Sequence, residues 1–159
     1  MTALRGDPVD RTRSRDVRTW LVQTLDDMPH VYDVRYDVFV REQGIASNVH
    51  DDPDDRYSLH VLASVRDEIV GTGRITFFGD EAQVVWVAVL KPYRGFGVGR
   101  AVMEHLLDLA REHGSRVVTL NAQTHALSFY NALGFRAIGR RFFMSNIEHQ
   151  YMALDLRET

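Results

Sequence analysis

The stretch Lys91-Pro-Tyr-Arg-Gly-Phe-Gly-Val-Gly-Arg100 decides how this chain is read. Before it runs Val84 to Leu90, seven residues and the longest unbroken apolar run, which reads as the most buried strand. After it, Val98, Ala101, Val102, Leu106, Leu109 and Ala110 recur at the spacing of a helix with one buried face, and Gly114 is placed to stop that helix. Gly95, Gly97 and Gly99 let the backbone turn tightly and approach a ligand without Cβ interference. The first turn of a helix leaves N–H groups unpaired and its dipole favours an anion, so the stretch reads as a pyrophosphate cradle. A loop whose glycines only solve a packing problem is the alternative left open by the glycines alone. Two other phosphate patterns fit less well. A P-loop needs Gly-Lys-Ser/Thr, which does not occur, and a dinucleotide fold needs G-x-G-x-x-G where this chain has G-x-G-x-G.

The flanking sequence builds one domain around that unit. Residues 1–15 mix Arg, Asp, Pro and Ser without periodicity and read as a mobile tail, leaving residues 16–159 as the domain. Val17 to Thr24 reads as a first strand. Pro29 sits where a helix can begin, and Val31, Val34, Arg35, Val38 and Phe39 then recur at helical spacing toward Gly44. Asn48 to Tyr57 is a polar loop holding Asp51, Asp52, Asp54 and Asp55 around Pro53. His60 to Arg66, a turn at Asp67-Glu68, Ile69 to Phe78, a turn at Gly79-Asp80 and Glu81 to Leu90 read as an antiparallel series. Arg116 to Leu120 is a buried strand, His125 to Leu133 a short helix, and two C-terminal strands follow. A meander followed by strand–helix–strand–helix implies a single-domain α/β fold, a mixed and mostly antiparallel sheet flanked by helices.

Composition removes several function classes. The chain has 159 residues, 45% hydrophobic and 26% charged, which is ordinary for a globular domain. No apolar run approaches a membrane span and Met1 to Arg18 lacks an apolar leader, so the expectation is a cytoplasmic protein with no membrane partner. Cys is absent, which excludes disulfides, thiolate metal sites and a Cys nucleophile. Nineteen basic against 22 acidic residues, with no basic stripe, argue against a nucleic-acid partner. Lys91 is the only lysine, a bias with no chemical weight.

Arg94-Gly-Phe-Gly97-Val-Gly99 resembles the R/Q-x-x-G-x-G/A coenzyme A signature of the GNAT N-acetyltransferases. Val87-Ala-Val89 before it, and Ala126, Tyr130 and Gly134-Phe135 after it, match in order and spacing. Leu120 to Phe135, with Phe39-Val-Arg-Glu-Gln43 and Ile147-Glu-His149, looks like the ElaA-like branch. The resemblance covers roughly residues 35–154 and implies acetyl-CoA as co-substrate, with no metal. It implies that the backbone from Arg94 through Gly95, Phe96, Gly97, Val98 and Gly99 to Arg100 holds the pyrophosphate. It implies too that Val87, Ala88 and Val89 pair with the pantetheine arm as an added strand. Gln123 stands where many relatives have Asn. The amide is kept, but its reach toward the cofactor differs.

Under that resemblance Tyr130 is the general acid that gives a proton as the coenzyme A thiolate forms; the bland reading is an aromatic packed at a helix end. An alkyl amine, with a pKa of about 10, must lose a proton before attack. Glu42 and His149 are the candidate bases, and His60 reads as a packed structural residue. With no Cys and no G-x-S-x-G elbow, direct attack is expected, on a small-molecule or peptide amine. Five carboxylates between Glu42 and Asp55 favour a small cationic amine, unless the acidic loop is solvated surface. Arg74 either meets an acceptor carboxylate or pairs with one of these aspartates. A non-catalytic acyl-CoA sensor and an acyl-homoserine-lactone-type synthase are the other readings, and homodimer formation is left open.

Overall fold

A computed structural model describes residues 16–45 and 48–158, so the tail expected over residues 1–15 lies outside the described residues. Eight strands form one sheet: β1 (Val17–Leu21), β2 (Ser58–Val65), β3 (Glu68–Phe78), β4 (Glu81–Val89), β5 (Val117–Gln123), β6 (Arg136–Ala137), β7 (Phe142–Met144) and β8 (Ile147–Asp155). Their order is β1-β2-β3-β4-β5-β8-β6, with β7 also paired to β8. Among the described residues only β4 and β5 run parallel; the other pairs are antiparallel. A parallel pair needs a crossover, and the helix after the glycine loop supplies it. The mixed α/β reading is therefore the observed architecture.

Strand alternation sends neighbouring residues to opposite faces, and each face is covered by a different helix. The helix α1 spans Met28–Arg35, α2 spans Val98–His113 and α3 spans Leu127–Ala132. Val61, Ala63, Val70 and Ile75 pack with Val102, Met103, Leu106 and Ala110 of α2. Leu62 packs instead with Met28 and Val31 of α1, and Ala88 with Val34, Val38 and Phe39. Gly73 on β3 lets α2 lie close, since a Cβ there would come within 2.8 Å of both Val102 and Leu106. No helix among the described residues is long and apolar enough to cross a membrane.

Three local features depart from the sequence reading. The first helix does not keep its 3.6-residue period: after Arg35 it widens into a π-helical segment, Tyr36–Glu42, with the Gln43 amide reaching back to the Val38 carbonyl. The turn between β2 and β3 falls at Arg66-Asp67, both with positive φ, so Glu68 opens β3. The C-terminus holds three strands, because Ser145-Asn146, both with positive φ, fold β7 back onto β8 in a tight hairpin.

Candidate active site

The parallel pairing of β4 with β5 is short, and the candidate site begins where it stops. The strands β4 and β5 pair only from Glu81 with Val117 to Gln83 with Thr119. Beyond Gln83 a bulge bends β4: Arg74 faces Val85 and Thr72 faces Ala88, so Trp86 and Val87 together oppose Gly73. Trp86 takes φ +59°, a conformation rare outside glycine. The edge of β4 from Val84 to Val89 therefore has no strand partner on the β5 side among the described residues. A cavity of about 580 Å³ opens there. Leu120, Asn121 and Gln123 of β5, Tyr130 of α3, and Met144, Ser145 and His149 of the β7–β8 hairpin line it opposite Trp86 to Val89. Glu42 and Gln43, at the end of the π-helical segment, close the remaining side.

A second groove, of about 340 Å³, joins the first at Val89 and Arg94. It runs between the glycine loop and Ser128, Phe129 and Leu133 beside α3. Gly97 caps α2 at φ +82°, and a Cβ there would point into open space, not into protein. The first intrahelical bond runs from the Ala101 amide to the Gly97 carbonyl, at 3.0 Å. That leaves the amides of Val98, Gly99 and Arg100 without helical acceptors, facing the groove that Gly95, Gly97 and Gly99 line. The Arg100 side chain is exposed and pairs with Glu104 at 2.8 Å. Phe96 is half-buried and lines neither cavity.

The side chains expected to do chemistry are brought to the first cavity, though not all in the expected state. Tyr130 lines its inner end, held edge-on by Phe129 and Phe135. Burial pushes its phenol well above the ordinary value, so it stays protonated. His149 is buried, stacked on Phe142. Its Nδ1 lies 2.7 Å from the Ile147 carbonyl, which can only accept. The proton of the neutral ring is therefore on Nδ1, and the Nε2 lone pair has no partner among the described residues. Glu42 is bound at both oxygens by Arg94, at 2.6 and 2.5 Å, and those bonds hold its carboxyl below the usual range. A carboxylate so held is a weak base. Arg94 also donates from Nε to the Val89 carbonyl.

Gln123 has its amide engaged across the cleft. It exchanges two hydrogen bonds with Gln43, at 2.9 and 2.8 Å, and its Oε1 is also 2.7 Å from His125. The acidic loop is likewise engaged inward. Asp55 is held by both arms of Arg35, at 2.8 and 3.1 Å, and by Arg74 at 3.0 Å. Asp52 lies 2.7 Å from Arg74 and accepts from the Trp86 indole at 2.9 Å. Burial alone would raise Asp52, but the indole, the Asp54 amide and Arg74 outweigh it and hold the carboxyl low. Of the five carboxylates expected to attract a cation, only Asp51 and Asp54 are left exposed without a cationic partner among the described residues. Arg74 thus meets the aspartates and not an acceptor. Trp86, Gln43, Asn121, Met144 and Ser145 are lining residues that sequence reasoning missed; the lone Trp inside a Val-rich strand was the one available signal.

This geometry has a counterpart among known proteins. An acetyltransferase (GNAT) domain model matches residues 29–156. The chain belongs to the GNAT acetyltransferase family. The N-acetyltransferase YjcF of Bacillus subtilis is 30% identical over 136 residues, covering 85% of this chain and 97% of that protein. A second Bacillus subtilis protein with an acetyltransferase name is 32% identical over 136 residues, covering 82% and 91%. Escherichia coli ElaA superposes with a TM-score of 0.77 at 26% identity, over 87% of this chain and 99% of ElaA. A Bacillus subtilis acetyltransferase solved in complex with CoA shares the fold, with a TM-score of 0.66 at 18% identity, over 88% and 99%.

His60 lies under the Arg35–Asp55 pair, with Nε2 at 2.9 Å from the Asp55 carbonyl and Nδ1 at 3.5 Å from Arg35. Burial, first, and the Arg35 charge favour its neutral form and lower its pKa. A histidine that resists protonation in the folded state binds fewer protons than the unfolded chain below about pH 6.5, so stability falls as pH drops through that value. Urea denaturation between pH 5 and 8 should show this decline, and His60→Gln should flatten it.

Proposed function

We propose that this chain transfers the acetyl group of acetyl-CoA to a primary amine by direct attack, with His149 as general base and Tyr130 as proton donor. The observation that carries this reading is the cleft where β4 leaves β5. It opens an unpaired strand edge, the glycine loop lies at one end, and the histidine and phenol flank it. The groove fits the co-substrate. Free amides at Val98 to Arg100 suit a pyrophosphate, and the edge at Val87 to Val89 suits the amides of a pantetheine arm. The Val89 carbonyl already accepts from Arg94, so its second lone pair is the one available there. The co-substrate supplies the thioester.

The protein's part is to position and to move two protons. An ammonium seated beside His149 first gives a proton to Nε2, and the freed lone pair then bonds to the thioester carbon. The extra proton the nitrogen keeps after attack restores the Tyr130 phenol once that phenol has donated to the sulfur. The tetrahedral centre then collapses, the C–S bond breaks, and the sulfur carries the departing electron pair. A phenol that keeps its proton donates to that sulfur as charge develops, so Tyr130 acts mainly in the transition state. Glu42 holds Arg94 at the junction of the two cavities. It is a positioning residue in this reading and not the base.

Three substitutions and the wild-type pH profile test the assignment. Gly97→Val forces a branched residue into φ +82° and drives its side chain into the groove, so calorimetry should find acetyl-CoA binding lost while the fold survives. Tyr130→Phe should leave acetyl-CoA affinity nearly unchanged and lower kcat by about 10²-fold when chemistry limits the rate. Since Tyr130 stays protonated, wild-type kcat should show no falling alkaline limb below about pH 10. His149→Gln should lower kcat by about 10²-fold near neutrality, with the defect shrinking as pH approaches the pKa of the amine, which then deprotonates unaided. Slow hydrolysis of acetyl-CoA that no amine accelerates would instead mark an acyl-CoA sensor.

A further inference from the structure

We infer that the acceptor is a monoamine whose body is uncharged, flat and apolar, seated against a wall made by Phe39 and Trp86; this rests on the acetyltransferase reading above. The two rings meet edge to face, with centroids 5.1 Å apart, and both line the larger cavity. Ile45 and Met144 extend the apolar lining. The wall is held in place. The Trp86 indole N–H is anchored on Asp52, the Arg35 guanidinium lies 5.3 Å from the ring, and Arg74 joins Asp52 to Asp55 behind it. The acidic loop that the sequence offered as an attractor of cations is in this way the brace of an aromatic surface. An aromatic surface fixed before the ligand arrives favours flat apolar groups, because little side-chain freedom is lost on binding.

Charge points the same way. Apart from His125, His149 and the protonated Tyr130 phenol, the only ionisable side chains lining the cavity among the described residues are Glu42 and Arg94, which are bonded to each other. A second ammonium on the acceptor would enter a half-enclosed site with no uncommitted carboxylate to meet it, and a buried charge without a partner is strongly disfavoured. Polyamines and aminoglycosides carry such charges. An arylalkyl monoamine carries only the one that His149 must discharge.

The test compares 2-phenylethylamine, ethylamine and spermidine at saturating acetyl-CoA, following thiol release and the mass of the product. The expected kcat/KM for 2-phenylethylamine exceeds that for either other amine by at least about tenfold. Trp86→Leu and Phe39→Leu should raise KM for 2-phenylethylamine by about tenfold while changing KM for ethylamine and acetyl-CoA affinity less than about threefold. Asp52→Ala, which removes the brace without touching the wall, should reproduce that split; Asp52→Asn, which keeps an acceptor for the indole, should restore part of it. General damage to the fold would raise KM for both amines alike. Spermidine as the best acceptor, or equal losses for both monoamines in all three wall and brace variants (Trp86→Leu, Phe39→Leu and Asp52→Ala), would overturn the inference and leave the acetyltransferase reading standing. Acetyl-CoA binding with no amine accelerating thiol release would overturn that reading and the acceptor assignment with it.

Discussion

The structure depends on the parting of two strands. From Glu81 to Gln83, β4 is held by β5; from Val84 onward it is not, because the bulge at Trp86 and Val87 turns it away. A strand edge inside a sheet normally finds a partner, since each unpaired backbone group near the interior is costly. Here the edge opens onto a cavity, with β5, α3 and the β7–β8 hairpin on its far side. The parting also sets the direction of the chain. Leaving β4, it turns through the glycine loop and enters α2 with three free amides at the mouth of the groove. An unpaired strand edge along the cleft and unpaired amides at the helix start are thus consequences of one backbone event.

Arg94 ties the two halves together. It borders both cavities, donates to the end of β4 at Val89 and binds Glu42 at the end of the π-helical segment. Next to Glu42, Gln43 reaches the other arm of the cleft through its paired amides with Gln123. Two successive residues therefore clasp both diverging strands. The wider turn of the π-helical segment is what aims them there, in keeping with the tendency of such segments to appear at functional sites.

Much of this was legible in the sequence and some was not, for physical reasons. The Val84–Leu90 run, the glycine loop and the amphipathic helix after it are local patterns, and local patterns survive folding. The parallel position of β5 followed from the crossover helix. The widened turn after Arg35 was not legible, because Val31, Val34, Val38 and Phe39 satisfy a regular helix equally well. The role of the acidic loop was not legible either. Four aspartates around a proline look the same whether they face water or a buried pair of arginines, and Arg35 and Arg74 lie 20 and 19 residues from Asp55. Glu42 was legible as a cleft residue, but its bond to Arg94, 52 residues away, lowers the basicity that its position suggested. His149 has its Nδ1 turned to the Ile147 carbonyl two residues earlier on β8, a side-chain orientation that the order of residues alone does not give.

The central claim is that the β4 edge and the start of α2 receive one ligand together. Residue-resolved amide hydrogen exchange with and without acetyl-CoA tests it most directly. Exchange should slow on β4 beyond Gln83 and at Val98, Gly99 and Arg100 in the same titration, while β1 and β2 are unaffected. Binding that slows exchange elsewhere and leaves those amides unchanged would contradict it.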